Sequence, residues 1–364
     1  MENNEKLLPQ DAGKAKPDIL SLTPDELIEL LAAYGQPKYR AAQVFTQLSR
    51  GVAIADMTNL PKALRATLAE ECEYRLPTVE QKLTSKIDGT IKYLFRLIDG
   101  ECIESVLMRY NHGNTLCISS QVGCRMGCKF CASTIGGRIR NLTPSEMLGQ
   151  IIAAELDTGE RVSNIVMMGI GEPLDNYENV KKFLALVNCE SGLNIGYRHI
   201  SLSTCGVADK IRELAREELP ITLSVSLHEP DSEKRSQIMP INKKYPVDVL
   251  MAACVDYYKT TKRRISFEYT LISGKNDGIE DAKKLASLLK KHFCGTGAPI
   301  HVNLIRVNEV DGTGFVRGDR ESVNRFAEYL NGAGIVATVR RRLGSDVNAA
   351  CGQLRRKNAA QSDS

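Results

Sequence analysis

The chain has 364 residues, 43% hydrophobic and 25% charged, proportions of an ordinary globular protein that set aside disordered, fibrous and membrane-spanning classes. Its 48 Lys and Arg against 44 Asp and Glu leave a net charge of +4, too little by itself to announce a nucleic-acid partner. The first twenty residues lack a basic n-region and an apolar h-region, and eleven cysteines are too few for a disulfide-stapled secreted domain, so the expectation is a cytoplasmic protein with no membrane partner.

The elements read as follows in chain order. From Ser21 to about Pro77 the apolar spacing is helical, and Thr23, Pro24 and Glu26 supply an N-cap, an N1 proline and a capping-box acid ahead of Leu27, Leu30 and Leu31. From Val79 to Met108 the period changes to two, with Ile91, Tyr93, Phe95 and Leu97 alternating against polar neighbours. Asp88-Gly89 and Asp99-Gly100 are placed as hairpin turns, so two or three antiparallel strands are expected. Beyond Thr115 short apolar strands near 115–119, 163–168, 199–203, 221–226, 265–269, 300–305 and 335–339 alternate with helices near 144–157, 177–188, 207–217, 246–260, 279–292 and 321–331. Thr143-Pro144-Ser145-Glu146 caps the first of these helices. Six or seven such units predict a parallel α/β fold, a full or partial barrel.

Cys124, Cys128 and Cys131 fall within eight residues at C-x3-C-x2-C spacing, directly after a predicted strand. Three thiolates so close need a positive centre, since each must lose its proton to ligate. A structural zinc site wants four ligands and no second cysteine pair follows, so zinc would have to borrow a distant fourth ligand. An iron-sulfur cluster held by three cysteines leaves one iron open to chemistry. Ser119-Ser120-Gln121 and Gly136-Gly137 are expected to shape this loop. A second motif, Met168-Gly169-Ile170-Gly171-Glu172-Pro173, ends the 163–168 strand.

The cysteine motif, with Phe130 before its third cysteine, and the Gly-Glu motif resemble the radical S-adenosylmethionine superfamily. The strings Cys117 to Cys131, Val166 to Leu174, Ser201 to Gly206, Ser226 to His228, Met239 to Tyr245 and Ala349 to Leu354 narrow the resemblance to the adenine-C2 RNA methyltransferases of the RlmN family, over nearly the whole chain from Thr23 to Leu354. The resemblance implies a partial (β/α)6-type barrel, one [4Fe-4S] cluster on Cys124, Cys128 and Cys131, and two S-adenosylmethionine molecules consumed per methylation. It implies that Gly171, Glu172, Ser203, Ser226, Leu227, His228 and Asn308 hold the cofactor. These positions lie at or just beyond predicted strand ends, where barrel sites are built. The implied organisation is an N-terminal helical accessory domain over 1–78, an antiparallel β linker over 79–109, the core barrel over 110–345 and a C-terminal segment over 346–364.

By the same resemblance Cys351 carries the methyl group, Cys117 displaces the product by forming a transient Cys117–Cys351 disulfide, and Glu104 is the base. Alone, Cys117 and Cys351 read as buried core cysteines and Glu104 as a surface strand residue. C2 of adenine is too electron-poor to attack a sulfonium methyl, so the methyl first goes to a thiolate, and a radical abstracting hydrogen from the S-methyl group lets carbon add to C2. The implied partners are 23S ribosomal RNA, transfer RNA and a flavodoxin- or ferredoxin-type electron donor, acting on a monomer. Lys243-Lys244, Lys262-Arg263-Arg264, Arg340-Arg341-Arg342, Arg355-Arg356-Lys357 and the N-terminal Lys38, Arg40, Arg50, Lys62 and Arg65 are candidates for phosphate contact. Methylation at adenine C8 by the same chemistry, a zinc-dependent RNA-binding protein without catalysis, and an iron-sulfur electron carrier are the competing readings.

Overall fold

The computed structural model describes residues 16–309, 314–347, 352, 354 and 355. The chain divides into two compact units, one up to Arg75 and one from Leu76 onward. The first is helical: α1 (Pro24–Ala33), α2 (Tyr39–Ser49) and α3 (Lys62–Glu71) bury Leu27, Leu31, Val44, Phe45, Leu48, Leu64 and Leu68. The capping box expected of Thr23 and Glu26 is formed in both directions, with Thr23 N donating to Glu26 Oε2 at 2.7 Å. Arg40 and Arg65 donate to the carbonyls of Asn59 and Ala55 and so also tie the unit to itself.

The second unit opens with β1 (Thr78–Thr84), β2 (Ile91–Arg96), β3 (Cys102–Tyr110) and β4 (Gly113–Cys117), which pair antiparallel. A small hairpin of β5 (Gln121–Gly123) and β6 (Arg138–Asn141) follows. Then come α4 (Pro144–Thr158), β7 (Val162–Met167), α5 (Tyr177–Asn188), β8 (Ile200–Thr204), α6 (Ala208–Arg216), β9 (Thr222–Ser226), α7 (Ser232–Ile238), α8 (Val247–Thr261), β10 (Ile265–Leu271), α9 (Ile279–Phe293), β11 (Ile300–Arg306), α10 (Arg320–Gly332) and β12 (Val336–Val339). The main sheet has ten strands in the order β1-β2-β3-β4-β7-β8-β9-β10-β11-β12, parallel from β4 onward. The strands expected over 79–109 therefore do not form a separate linker. The tight β3–β4 connection, with Tyr110 opposite Gly113, makes them one wing of the same sheet.

Sheet alternation separates two environments. Leu202, Leu223, Val225, Phe267, Tyr269, Val302 and Leu304 are fully buried on one face, where Phe267 meets Phe293 of α9 and Tyr269 meets Phe326 of α10 at ring separations of 5.9 and 5.2 Å. The other face carries Ser201, Ser203, Ser224, Ser226, Ser266, Glu268, His301, Asn303 and Thr338.

The sheet curves. Asp346, seven residues beyond the last strand, accepts hydrogen bonds from Ser85 Oγ at 2.7 Å and Lys86 N at 2.9 Å in the turn joining β1 and β2, and Gly344 N donates to Asp88 at 2.9 Å. Seven residues reach about 25 Å at most, whereas ten strands laid flat would spread about 43 Å. The polar face is thus the concave one, an open barrel whose edges are joined by the chain after β12.

Candidate active site

The C-terminal ends of β4 and β7 hold each other through a buried polar lattice. Gln150 of α4 accepts from Ser119 N and Ser105 Oγ, both at 2.8 Å, and donates to Ser119 O at 3.0 Å. Ser119 Oγ accepts from Ile170 N, Ser120 N and Gln121 N donate to Ile170 O, and Gln121 Oε1 accepts from Glu172 N. These bonds tie Ser119-Ser120-Gln121 to α4 and to the 170–172 turn. Gly171 has φ +110°, and a Cβ there would lie 2.8 Å from Gln121 N and 2.7 Å from Gln121 Cβ. Gly171→Ala is expected to cost about 1–3 kcal/mol through strain alone, and, with this turn holding S-adenosylmethionine as the resemblance implies, to lower that affinity by about tenfold or more as the turn moves. Gly136→Ala is a matched control with φ +87° and open space around it. Thermal melts and equilibrium dialysis of the two variants check this, and equal behaviour would show that the close approach does not matter.

Cys124, Cys128 and Cys131 come together on the loop between β5 and β6. Cys124 N donates to Gly137 O and Cys131 N to Cys128 O, while Thr134 Oγ1 donates to both the Cys128 and Cys131 carbonyls. Gly123 leads into the loop at φ +75° with Gly137 O against it. Burial pushes all three thiols upward, Cys124 to about 12, and for Cys124 and Cys128 neighbouring thiols of the triad add to it. Bare thiolates are thus disfavoured here, which is the situation a bound positive centre relieves. Among the described residues no three His, Cys, Asp or Glu side chains converge tightly enough for a single ion. Three thiols on one loop are the donor set that a cluster with three protein ligands would take, whereas a structural zinc site takes four ligands.

The residues expected to hold the cofactor lie at or beyond successive strand ends. Glu172 is buried, its Oε2 accepting from Cys205 N at 2.7 Å and its Oε1 from Leu174 N at 3.0 Å. Burial raises its pKa against those hydrogen bonds. Ser203 lies in β8 and Ser226 ends β9, both half-buried. Leu227 N and His228 N donate to Glu268 O, holding this turn against β10. His228, at φ +57°, accepts from Thr270 N at its Nδ1 (2.9 Å), and burial reinforced by Arg235 lowers its pKa to about 3. The ring is therefore neutral with its proton on Nε2, and Phe130 of the cysteine loop meets it edge-on at 4.9 Å. Asn308, beyond β11, is exposed.

Glu104 and Cys117 are brought to one place. Val106 of β3 stands opposite Cys117 of β4, so Glu104, two residues before Val106, shares the face of Cys117. Contrary to its appearance in the sequence, Glu104 is 2% exposed: Lys92 Nζ lies 3.1 Å from its Oε2, Gly352 N donates to Oε2 at 2.8 Å and Arg355 N to Oε1 at 2.7 Å. Burial pushes the Cys117 thiol up to about 11, with the Arg340 guanidinium opposing it. Cys351, Arg356 and Lys357 lie outside the described residues, as do Ala349 and Ala350.

Several contributors escaped sequence reasoning. Arg235 of α7 is fully buried and donates to the carbonyls of Leu227, Cys205 and Ser226 at 2.8–3.0 Å, fastening the ends of β8 and β9. On the concave face Asn303 donates to Glu268 at 2.7 Å, Ser266 meets His301 at 3.0 Å, and His301 meets Thr338 at 2.8 Å. Such a lining suits a polar ligand, where an ordinary barrel is filled with branched apolar side chains. The signal was present in the strict polar alternation of Ser201-Ser203, Ser224-Ser226 and Ser266-Glu268.

Residues 118–288 match the Radical SAM superfamily model, and residues 17–74 match that of the ribosomal RNA large subunit methyltransferase N-terminal domain. A chain from Clostridium botulinum (strain Eklund 17B / Type B) named "Probable dual-specificity RNA methyltransferase RlmN" is 54% identical over 340 residues, covering 93% of this chain and 96% of the relative. One of the same name from Alkaliphilus oremlandii (strain OhILAs) is 52% identical over 344 residues, 94% of this chain and 98% of the relative. The crystal structure of a radical SAM methyltransferase from Sphaerobacter thermophilus superposes with a TM-score of 0.87 at 44% identity, covering 93% of this chain and 98% of that one.

Proposed function

Because the chain belongs to the RlmN family of radical S-adenosylmethionine RNA methyltransferases, an α/β fold with an N-terminal helical domain, we propose that it methylates C2 of adenosine in 23S ribosomal RNA and in transfer RNA, through methylated Cys351 and a transient Cys117–Cys351 disulfide. The observation that carries this reading is the meeting of Glu104, Cys117 and the amide of Gly352, the residue after Cys351, on one face of the open barrel.

When bound, the cluster and S-adenosylmethionine supply the methyl group, the one-electron step and the hydrogen-abstracting radical. Cys124, Cys128 and Cys131 would hold the cluster. Gly171, Glu172, Ser203, Ser226, Leu227, His228 and Asn308 would hold the cofactor, with neutral His228 offering an N–H donor and Glu172 a buried acceptor. Cys351 Sγ takes the methyl group, and that carbon becomes bonded to C2 of the adenine. Glu104 takes the C2 proton. Cys117 Sγ then bonds to Cys351 Sγ as the bond from carbon to Cys351 Sγ breaks, the released carbon takes up a proton to become methyl, and the odd electron left by the radical addition passes to a one-electron acceptor of the flavodoxin or ferredoxin type. A dithiol reductant reopens the disulfide, and a flavodoxin- or ferredoxin-type protein supplies the electron that starts each cycle. The concave polar face accepts a base splayed from an RNA loop, since C2 is poorly reached within a helix. Lys243, Lys244 and the clusters at 262–264 and 340–342 are the phosphate contacts we favour, on a monomer. Among the described residues no helix is long and apolar enough to cross a membrane.

The test is mass spectrometry of RNA digested after anaerobic turnover with reconstituted enzyme and labelled S-adenosylmethionine. Label on adenosine C2 in both RNA classes is expected. Label on C8 would replace the regiochemistry and keep the chemistry, whereas a colourless protein with one zinc per chain and no label would leave a non-catalytic RNA-binding protein.

A further inference from the structure

We propose that Arg235 is the built-in counter-charge of the iron-sulfur cluster, a fixed cation behind Cys128 that raises the cluster's reduction potential toward that of a flavodoxin- or ferredoxin-type donor. The inference rests on the reading of Cys124, Cys128 and Cys131 as the cluster's ligands.

The observation is a buried charge with no opposite charge beside it. Among the described residues Arg235 is the largest side chain to be fully buried. Its guanidinium makes four hydrogen bonds, all to neutral oxygens: Nε to Leu227 O at 2.9 Å, Nη1 to Asn242 Oδ1 at 3.0 Å, and Nη2 to Cys205 O at 2.8 Å and Ser226 O at 3.0 Å. Among the described residues no carboxylate stands within ion-pair distance of it, whereas the equally buried Lys92 has Glu104 at 3.1 Å. Carbonyl dipoles solvate a guanidinium without cancelling its charge, and a buried charge left uncompensated is costly.

This side chain lies behind the cysteine loop. Met239, whose N donates to Arg235 O at 2.7 Å, packs with Cys128 and Cys205, and Lys129 N donates to Ile238 O at 2.9 Å. The groups facing the guanidinium that can turn anionic are three thiols, Cys128, Cys205 and Cys254. Cys205 and Cys254 are buried where a thiol stays neutral. Cys128 alone of the three belongs to the triad, and a ligating cysteine is a thiolate. The chain's own carboxylates leave Arg235 uncompensated, and a cluster held by three thiolates supplies the missing negative charge. Reduction by the donor's electron adds one more negative charge to the cluster. A fixed cation therefore stabilises the reduced form more than the oxidised one, and net charge and surroundings are what set such a potential. Arg235 touches no reacting atom; it is a positioning residue that acts through the cluster.

The experiment is a potentiometric titration of the full reconstituted chain without S-adenosylmethionine, the reduced cluster being read by electron paramagnetic resonance. Arg235→Gln removes the charge and Arg235→Lys keeps it. Asn242→Asp leaves Arg235 in place and sets a carboxylate where Nη1 now meets an amide oxygen, with Ser232 Oγ and Ser236 Oγ in reach to donate to it. Asn242→Ala removes the same bond without adding charge. At the wild-type midpoint the ratio of reduced to oxidised cluster is expected to fall about tenfold in Arg235→Gln and in Asn242→Asp, the effect of one unit charge inside a protein and a drop of about 59 mV for one electron. Arg235→Lys and Asn242→Ala stay near wild type. Should Arg235→Gln fail to fold, Asn242→Asp decides. An unchanged midpoint in Asn242→Asp overturns the proposal, as does an equal fall in Asn242→Ala and Asn242→Asp, which would trace the effect to a lost bond. An unchanged midpoint in Arg235→Gln with weaker S-adenosylmethionine binding in equilibrium dialysis would make Arg235 a cofactor contact instead. A wild-type chain that takes up no cluster overturns the underlying reading as well.

Discussion

Cys128→Ala is expected to purify without the brown colour of a cluster and to release no 5'-deoxyadenosine after reduction with S-adenosylmethionine, a fall to background. Cys128 is the buried centre of the triad, packed with Cys205 and Met239 beneath Met126, Phe130 and Ile241. Its carbonyl accepts from Cys131 N and Thr134 Oγ1, bonds that belong to the backbone and survive removal of the sulfur. The loop therefore keeps its shape in the variant and loses the thiol we propose as a cluster ligand, with no neighbour to replace it. Cys205, which also lies in that cluster, has its thiol held well above its ordinary range, by burial first and the Glu172 carboxylate second, and so is a poor substitute. Anaerobic reconstitution, absorbance spectra and chromatography of the nucleoside product make the comparison with wild type. Deoxyadenosine from Cys128→Ala would remove the triad from the chemistry.

Much of this architecture was readable before any coordinates. From β7 to β12 the strand and helix limits fall within one or two residues of those expected, because buried apolar residues alternate with polar ones and each helix predicted there shows a cap or an apolar stripe. The seven-residue α7 was missed: Arg235 is its one buried residue, so it has no apolar period to detect. The β5–β6 hairpin was missed because three- and four-residue strands carry no alternation. Lys92 and Glu104 were the harder case. In an alternating strand a charged residue reads as solvent-facing, and here both point to the concave face, where each is the other's compensation and a segment from the opposite end of the chain closes over them. Pairing of that kind depends on which strands become neighbours and on where the chain returns, and local pattern contains neither.

The second large effect is expected from Cys117→Ala: RNA remains covalently attached to the protein, and release of methylated RNA falls to background. If Cys117 provides the sulfur that displaces the product, every earlier step proceeds in the variant, because Glu104, the cysteine triad and Cys351 are unchanged. The carbon bridging Cys351 and adenine then has no partner to release it, so a slow-migrating band containing labelled RNA accumulates on a denaturing gel, one RNA per chain at most. The pH dependence of release in the wild type follows from the same thiol. Burial raises Cys117 to about 11, with Arg340 pulling the other way, so near pH 8 only about one molecule in a thousand holds the reactive thiolate. Where this step limits turnover, the rate should rise nearly tenfold per pH unit below about 11 and stop rising above it, and Arg340→Met, which removes the opposing charge, should slow release further at any fixed pH. A burst experiment separates formation of the attached species from its decay. Decay independent of pH, or free methylated RNA from Cys117→Ala, would mean that another group releases the product.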